Sequence, residues 1–486
     1  MIAKIRYWLY EKIFVEKLNN IFGLILFIIF SVSFAFIVAK LGFYFGIFFL
    51  LASLSVPLLI FSLKDIRIAF IIFLGYSCTV FTMMRIFPGL PVGVTLEMFY
   101  YLFVLSFIIW AASGDDRAEY SILKSPIFKL VVVWVVYQFL QVFNPNSVSI
   151  NGWLMNLRGL FSFISIYLAA SISLRKLSFI KVFIHVWLGI AFIAAIYGLK
   201  QKYFGLFDFE QQWLYSDQRL VDLYVMFTGI RIWSFLGDVS SFGIFMGISF
   251  VASFIMLQDK TSVLIKIIYI IYGLAMLVAM VHSGTRSAYV IPPLGIGIYS
   301  LMYINNLKVV FSVGIIVIIG LFIYFGPFYS APISRFRSAF SPSEDLSMQT
   351  RNKNRASIQP YILSHPFGGG LYTTGTNGMD YSPGHQLAGF PTDSRYVTVA
   401  LETGWIGLAI LLTNYIIIMV FGLKNFFLSQ NPQVKLYFSL FLGVFFPITI
   451  VQFTQENAVQ NPIGIIFISI YAVVYNLSKI KNGYEN

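Results

Sequence analysis

Apolar runs, each close to the roughly 20 residues that a helix needs to cross the hydrocarbon core of a bilayer, recur along almost the whole chain with short polar connections between them. Spans are expected near residues 21–39, 42–62, 68–84, 96–112, 127–143, 159–174, 180–198, 233–257, 265–282, 288–304, 309–328, 397–421, 437–453 and 462–478. Inside hydrocarbon a backbone amide finds no water, and each one left unpaired costs several kcal/mol, so runs of this length have to be helices. The expected fold is all-α: a polytopic integral membrane protein of about fourteen transmembrane helices, an even number that puts both termini on one face. The first run follows a basic amphipathic stretch with Lys4, Arg6, Lys12 and Lys17, is long for a signal-peptide core and lacks a clear small-residue cleavage site, which reads as a retained span.

One long polar stretch, Ser330 to Tyr396, interrupts this pattern and divides the chain into residues 1–329, 330–396 and 397–486. It carries Arg335, Arg337, Arg351, Lys353, Arg355 and Arg395, both His365 and His385, and the run His365-Pro366-Phe367-Gly368-Gly369-Gly370. Chemistry is expected there. The chain has no internal repeat, low-complexity run or second soluble domain.

Composition agrees: 58% hydrophobic, 11% charged and a mean hydropathy of +0.82 exclude an ordinary soluble globule. The formal charge of +13 reads as topology, with no nucleic-acid binding, because its basic residues cluster between apolar runs. On the N-terminal side of the membrane stand the four tail cations with Lys64, Arg67, Arg117, Lys124, Lys129, Arg175, Lys176, Lys181, Lys260, Lys266, Lys308, Lys424, Lys435, Lys479 and Lys481, nineteen in all. The opposite short and medium connections hold eight: Lys40, Arg85, Arg158, Lys200, Lys202, Arg219, Arg231 and Arg286. Both termini are therefore expected in the cytoplasm and 330–396 outside. A lone cysteine, Cys78, within an apolar run gives no internal disulfide, and the histidines show no zinc spacing, so no metal site and no cofactor are expected.

Each candidate has a structural and a chemical reading. Arg286, in the hinge Ser283-Gly284-Thr285-Arg286-Ser287, either snorkels to the headgroups or places a fixed cation beneath the loop. Arg351 and Arg355, four apart, share one helical face, either solvated or holding an anion with the forked geometry that suits phosphate. His365 and Gly368 to Gly370 read as a tight turn with close backbone approach to something. Asp393, just before a span, is a helix cap or a base, and Glu402, two turns in, is an intramembrane acid facing a cavity or a partner.

From about Tyr224 to Leu411 these motifs resemble the O-antigen polymerase and O-antigen ligase family of bacterial envelope glycosyltransferases: an arginine before a span (Arg231), the serine–arginine hinge (Arg286), an arginine-led helix (Arg351 to Ile358), the His-Pro glycine turn (His365 to Gly370) and Glu-x-Gly-x-x-Gly (Glu402 to Gly407). Ligases of the family carry a His-Asn pair nine residues before that glutamate. Here the pair is Asp393-Ser394, closer to the polymerases of capsule, exopolysaccharide or O-antigen.

The resemblance implies a GT-C-like arrangement in the bacterial cytoplasmic membrane. It also implies transfer of glycan from a polyprenyl-diphosphate carrier to an acceptor sugar on the outer side, without a metal. Arg231, Arg286, Arg351 and Arg355 would bind the pyrophosphate, Asp393 and Glu402 with Arg286 would serve catalysis, and His365, Gly368 and Gly370 would shape the loop. Partners would be the lipid-linked donor, the glycan acceptor, the bilayer, and a chain-length regulator and flippase of the same pathway. Trp233, Tyr372 and Tyr396 are candidates for stacking on sugars. A lipid-linked oligosaccharide flippase is the alternative from another class, but neither related halves nor mid-span charges are evident.

Overall fold

The computed structural model describes residues 21–41, 65–88, 92–113, 123–226, 229–327, 330–340, 346–456 and 458–480. It is an all-helical membrane protein. Along the chain run α1 (Ile21–Leu41), α2 (Ile66–Ile86), α3 (Val94–Ser113), α4 (Pro126–Leu140), α5 (Ile150–Ser173), α6 (Leu177–Tyr203), α7 (Asp208–Leu214), α8 (Gln218–Tyr224), a hairpin of β1 (Val225–Met226) and β2 (Gly229–Ile230), α9 (Val239–Met256) and α10 (Val263–His282). There follow a 3-10 segment (Arg286–Val290), α11 (Ile291–Met302), α12 (Leu307–Phe325), α13 (Ala331–Ala339), α14 (Leu346–Ser364), α15 (Gly375–Tyr381), α16 (Arg395–Leu428), α17 (Pro432–Val451) and α18 (Ile463–Lys479). A helix stands at every expected span that falls within the described residues; the run 42–62 lies outside them. Among the described residues, eight helices are long and apolar enough to cross a membrane.

Local chemistry sets the ends. Asp65, Ser125, Asp238 and Asn431 cap α2, α4, α9 and α17, each accepting from a backbone amide that the first turn leaves unpaired. Pro126 and Pro432 sit in the first turn, where no intrahelical donor is needed. The expected span 288–304 is a composite, since prolines in the first turn of α11 leave Arg286–Val290 as a 3-10 approach. Two polar connections are also more ordered than expected: 199–232 contains α7, α8 and the hairpin, and 330–396 contains α13, α14 and α15.

α9, α17 and α18 form the centre, each buried along most of its length. In α9 and α17 83% of the apolar window is buried, against 28% in α4 and α10. Helices apolar on every side belong inside, and those with one inward stripe surround them. α9 and α17 pack on each other, and α11 packs on both.

Polar contacts between connections sort into two faces. On one, Lys181 Nζ lies 2.9 Å from Asp259 Oδ2, Asn476 Nδ2 donates to Ser171 O (3.0 Å) and Leu174 O (2.9 Å), and Arg67 lies over the Phe179 ring. On the other, Arg85 Nη2 donates to Gly237 O (2.6 Å), Arg158 pairs with Glu97, and Asn144 Nδ2 donates to Phe367 O (2.8 Å). Each pair joins connections that the charge pattern assigns to one side. Reporters fused after Asn146 and Gly375 should therefore respond alike, and opposite to one fused after Asp259; a Gly375 fusion that matches Asp259 would break this arrangement.

Candidate active site on the loop face

The hinge after α10 is built by its own side chains. Ser283 Oγ donates to Met280 O (2.7 Å) and accepts from Thr285 N (3.2 Å), while Thr285 Oγ1 donates to Val239 O (2.9 Å) at the start of α9. Gly284 turns the chain with φ +65, a value that favours glycine. Arg231 leaves the β-hairpin and locks onto this hinge: Nε donates to Ser283 O (2.9 Å), Nη2 to Thr285 Oγ1 (3.3 Å) and Nη1 to Leu223 O (3.1 Å). Burial, then the neighbouring charge of Arg335, pushes the Arg231 guanidinium down to about 10, so it remains a cation at neutral pH. Arg286 is half-buried and opens the 3-10 segment two residues after Gly284.

A second group lines a small open cleft formed by Arg351, Asn354, Arg355, Phe390, Pro391, Asp393 and Val397. As the spacing predicts, Arg351 and Arg355 reach out from one face of α14. They meet the end of α17, Arg351 Nη1 donating to Thr454 O (3.1 Å) and Arg355 Nη2 to Phe453 O (2.7 Å), with the Arg355 guanidinium 4.2 Å above the Phe453 ring. Cations at a helix C-terminus satisfy carbonyls and oppose its negative end. Burial, then the charge of Arg351, lowers the Arg355 pKa. Arg351 Nε also lies 3.5 Å from Asp393 Oδ2. The N-cap position of α16 is Ser394, whose hydroxyl donates to Gln452 O (3.2 Å). Asp393 stands one residue earlier, its side chain 40% exposed and facing an arginine.

The glycine turn and Glu402 form one unit. α16 breaks at Gly404 (φ 71, ψ 178), where a Cβ would overlap Pro366 O. Gly369 N donates to Leu401 O (2.7 Å), Gly370 N to Glu402 O (3.0 Å) and Ile406 N to Pro366 O (3.4 Å). A Cβ at Gly368 would stand 2.5 Å from Glu402 C, and the other side of the turn is held by Asn144 and Asn146, the latter donating from Nδ2 to Gly368 O (2.9 Å). The Glu402 side chain accepts from Thr374 Oγ1 (2.7 Å) and lies near the backbone of Tyr372 and Thr374, and the residue is 8% exposed. His365 stacks on Tyr361 at 3.9 Å and shares its Nδ1 with Tyr361 O (2.9 Å) and Ser364 Oγ (2.8 Å). Glu402, His365, Gly368 and Gly370 thus meet one another's loop. Glu402 is expected to serve catalysis, and its place in the fold is beside the loop, with one carboxylate oxygen held by Thr374.

The aromatic candidates diverge. Trp233 is fully buried against Trp213 and Tyr224, so its ring is not presented for stacking; Tyr396 is half-buried with its hydroxyl donating to Thr449 O (2.5 Å), and Tyr372 is half-buried, edge-on to Tyr381. Sequence reasoning passed over Glu456, whose carboxylate accepts from Thr392 Oγ1 and Thr398 Oγ1, both at 3.0 Å. Its signal was the polar run Gln452 to Asn461 between the last two apolar runs. Among the described residues no three His, Cys, Asp or Glu side chains come together as metal ligands.

Glu402→Gln keeps an acceptor for Thr374 but turns an amide donor toward the loop amides. The expected cost is ~1–3 kcal/mol of local stability, seen as faster hydrogen exchange in 368–374. Unchanged exchange there would remove the structural role.

Residues 271–412 match the family model Wzy_C, described as O-antigen ligase, a stretch that runs from α10 through the hinge and the loop into α16. It contains Arg286, Arg351, Arg355, His365, Asp393 and Glu402 and leaves Arg231 outside. No curated protein matches the chain. Set in a multi-pass all-helical membrane protein, this segment is a domain of the O-antigen polymerase and ligase family.

Proposed function

We propose that this protein is a metal-independent membrane glycosyltransferase that polymerises polyprenyl-diphosphate-linked repeat units on the outer side of the bacterial cytoplasmic membrane, with both termini in the cytoplasm. The observation that carries the reading is the clamping of Arg231 onto the Ser283–Thr285 hinge, which puts two arginines, Arg231 and Arg286, at one turn. The donor has a lipid tail, a diphosphate and sugars, and this chain offers apolar spans, arginines at the span ends and a polar loop in that order. As an acceptor hydroxyl attacks the anomeric carbon, the bond to the diphosphate breaks and its electron pair leaves with phosphate oxygen. Preorganised guanidinium groups stabilise that developing charge where other enzymes use a metal.

Asp393, beside the cleft, is the group proposed to orient the acceptor hydroxyl and receive its proton. The Arg351 guanidinium, its Nε 3.5 Å from Asp393 Oδ2, fixes the carboxylate in place. A ligase that moves finished glycan to another acceptor is the second reading, favoured by the family description of residues 271–412; Asp393 at the place of the ligases' histidine favours the polymerase.

Initial rates with one lipid-linked donor and one acceptor, in excess EDTA, test both assignments. Wild type is expected to keep its activity without divalent ions. Arg286→Lys should fall at least ~10-fold and Arg286→Gln by roughly 10²–10³; a lysine variant at full rate would make Arg286 a headgroup anchor.

Asp393→Asn should insert and fold normally yet transfer ~10²–10⁴-fold more slowly. A rate within about threefold of wild type, well short of that range, would leave this carboxylate without a chemical role, and Glu456→Gln would be measured next.

A further inference from the structure

Three elements bring arginines to the turn at Gly284, and a fourth brings a lysine to the neighbouring hairpin. Arg231 comes from the hairpin and Arg286 from the hinge itself. Lys202 comes from the end of α6, its Nζ 3.1 Å from where a Cβ of Gly229 would stand. Arg335 comes from α13. A Cβ built on Gly284 would lie 2.8 Å from Arg335 Nη1 and 3.1 Å from Arg231 Nε, so it is the glycine that lets both guanidinium groups approach the backbone of this turn from two sides.

Arg335 is held in that place. Phe336 packs edge-on against Tyr289 of the 3-10 segment at 6.0 Å, and Arg337 Nη2 donates to Ile323 O (3.2 Å) and to Gly326 O, which pins α13 over the hinge. Arg335 Nη2 meets Met226 Sδ at 3.0 Å, a weak acceptor. Arg231 is bonded to neutral oxygens. The carboxylate that acts on it, Asp238, already accepts from Ser240 N, Ser241 N and Ser241 Oγ as the cap of α9. Like charges gathered at one turn repel, and an anion with oxygens on two sides reverses the sign of that interaction.

We propose that Arg335 is a further ligand for the donor's diphosphate, closing over Gly284 opposite Arg231, with Lys202 at the rim of the same subsite. The assignment rests on the diphosphate reading given above and adds residues from outside the hinge to it. A lipid headgroup shares the phosphate chemistry, and the test separates the two.

Binding of inorganic pyrophosphate is measured by calorimetry on the full chain in nanodiscs of neutral phosphatidylcholine, and again with phosphatidylglycerol added. Arg335→Gln is expected to weaken pyrophosphate binding ~10-fold or more, Arg335→Lys to weaken it less, and Arg219→Gln, an exposed arginine of the same face, to leave it unchanged; equal melting temperatures exclude loss of fold. Because no transfer is assayed, this outcome stands even if the protein does not polymerise glycans. Three results would overturn the proposal. One is pyrophosphate binding that Arg335→Gln leaves intact while Arg231→Gln weakens it, which keeps the diphosphate reading and removes Arg335. Another is wild type that binds no pyrophosphate. The third is an Arg335 effect seen only with phosphatidylglycerol, which makes Arg335 a headgroup contact.

Discussion

A helix broken beside the membrane has to find new partners for the backbone groups it frees, and that requirement ties the polar loop to the helical body. The break at Gly404 removes the usual amides from the carbonyls of Leu401, Glu402 and Thr403. Gly369 N, Gly370 N and the Tyr137 hydroxyl take their places at 2.7, 3.0 and 2.6 Å, and Pro366 O accepts from Ile406 N. Unmet backbone groups in a low-dielectric setting cost far more than a surface bond returns, so this docking is close to obligatory. It needs backbone against backbone, which is why glycines stand on both sides.

Two motifs that read as separate in the chain are thus two halves of one joint. Glu402 belongs to it as well, since its carboxylate accepts from the Thr374 hydroxyl of the loop. With the glycines and this acid engaged in holding the loop, the charged groups that line the cleft and the hinge are arginines and Asp393. The division agrees with a chemistry that needs cations for a leaving diphosphate and a carboxylate for a hydroxyl proton.

The spans were legible because the bilayer imposes a length and forbids open backbone, so thirteen of the runs read from hydropathy coincide with helices of the described chain. Arg351 and Arg355 on one face followed from the 3.6-residue period alone. What was hidden depended on residues far apart. Nothing local in Glu-Thr-Gly says that Gly404 will take φ 71, because the reason is Pro366 O, nor that Trp233 will be buried, because Trp213 and Tyr224 cover it. Glu456 was missed for a related reason: its role is defined by Thr392 and Thr398, about sixty residues away in the chain.

The two arginine groups rest on deeply buried helices. Thr285 bonds Val239 at the first turn of α9, and Arg351 and Arg355 bond the carbonyls just past α17, so both are anchored to packed central helices and not to the loop alone. Side chains fixed to such elements keep their geometry better than those on free connections. The ends also differ. The start of α9, capped by Asp238, lies under the hinge that Arg231 clamps, whereas the end of α17 carries its negative end toward Asp393, offset by Arg351 and Arg355. In the proposed reaction the leaving diphosphate gathers negative charge and the acceptor hydroxyl gives up a proton. An anionic leaving group is therefore best placed at the first end and the proton acceptor at the second. The two ends supply that separation before any substrate arrives.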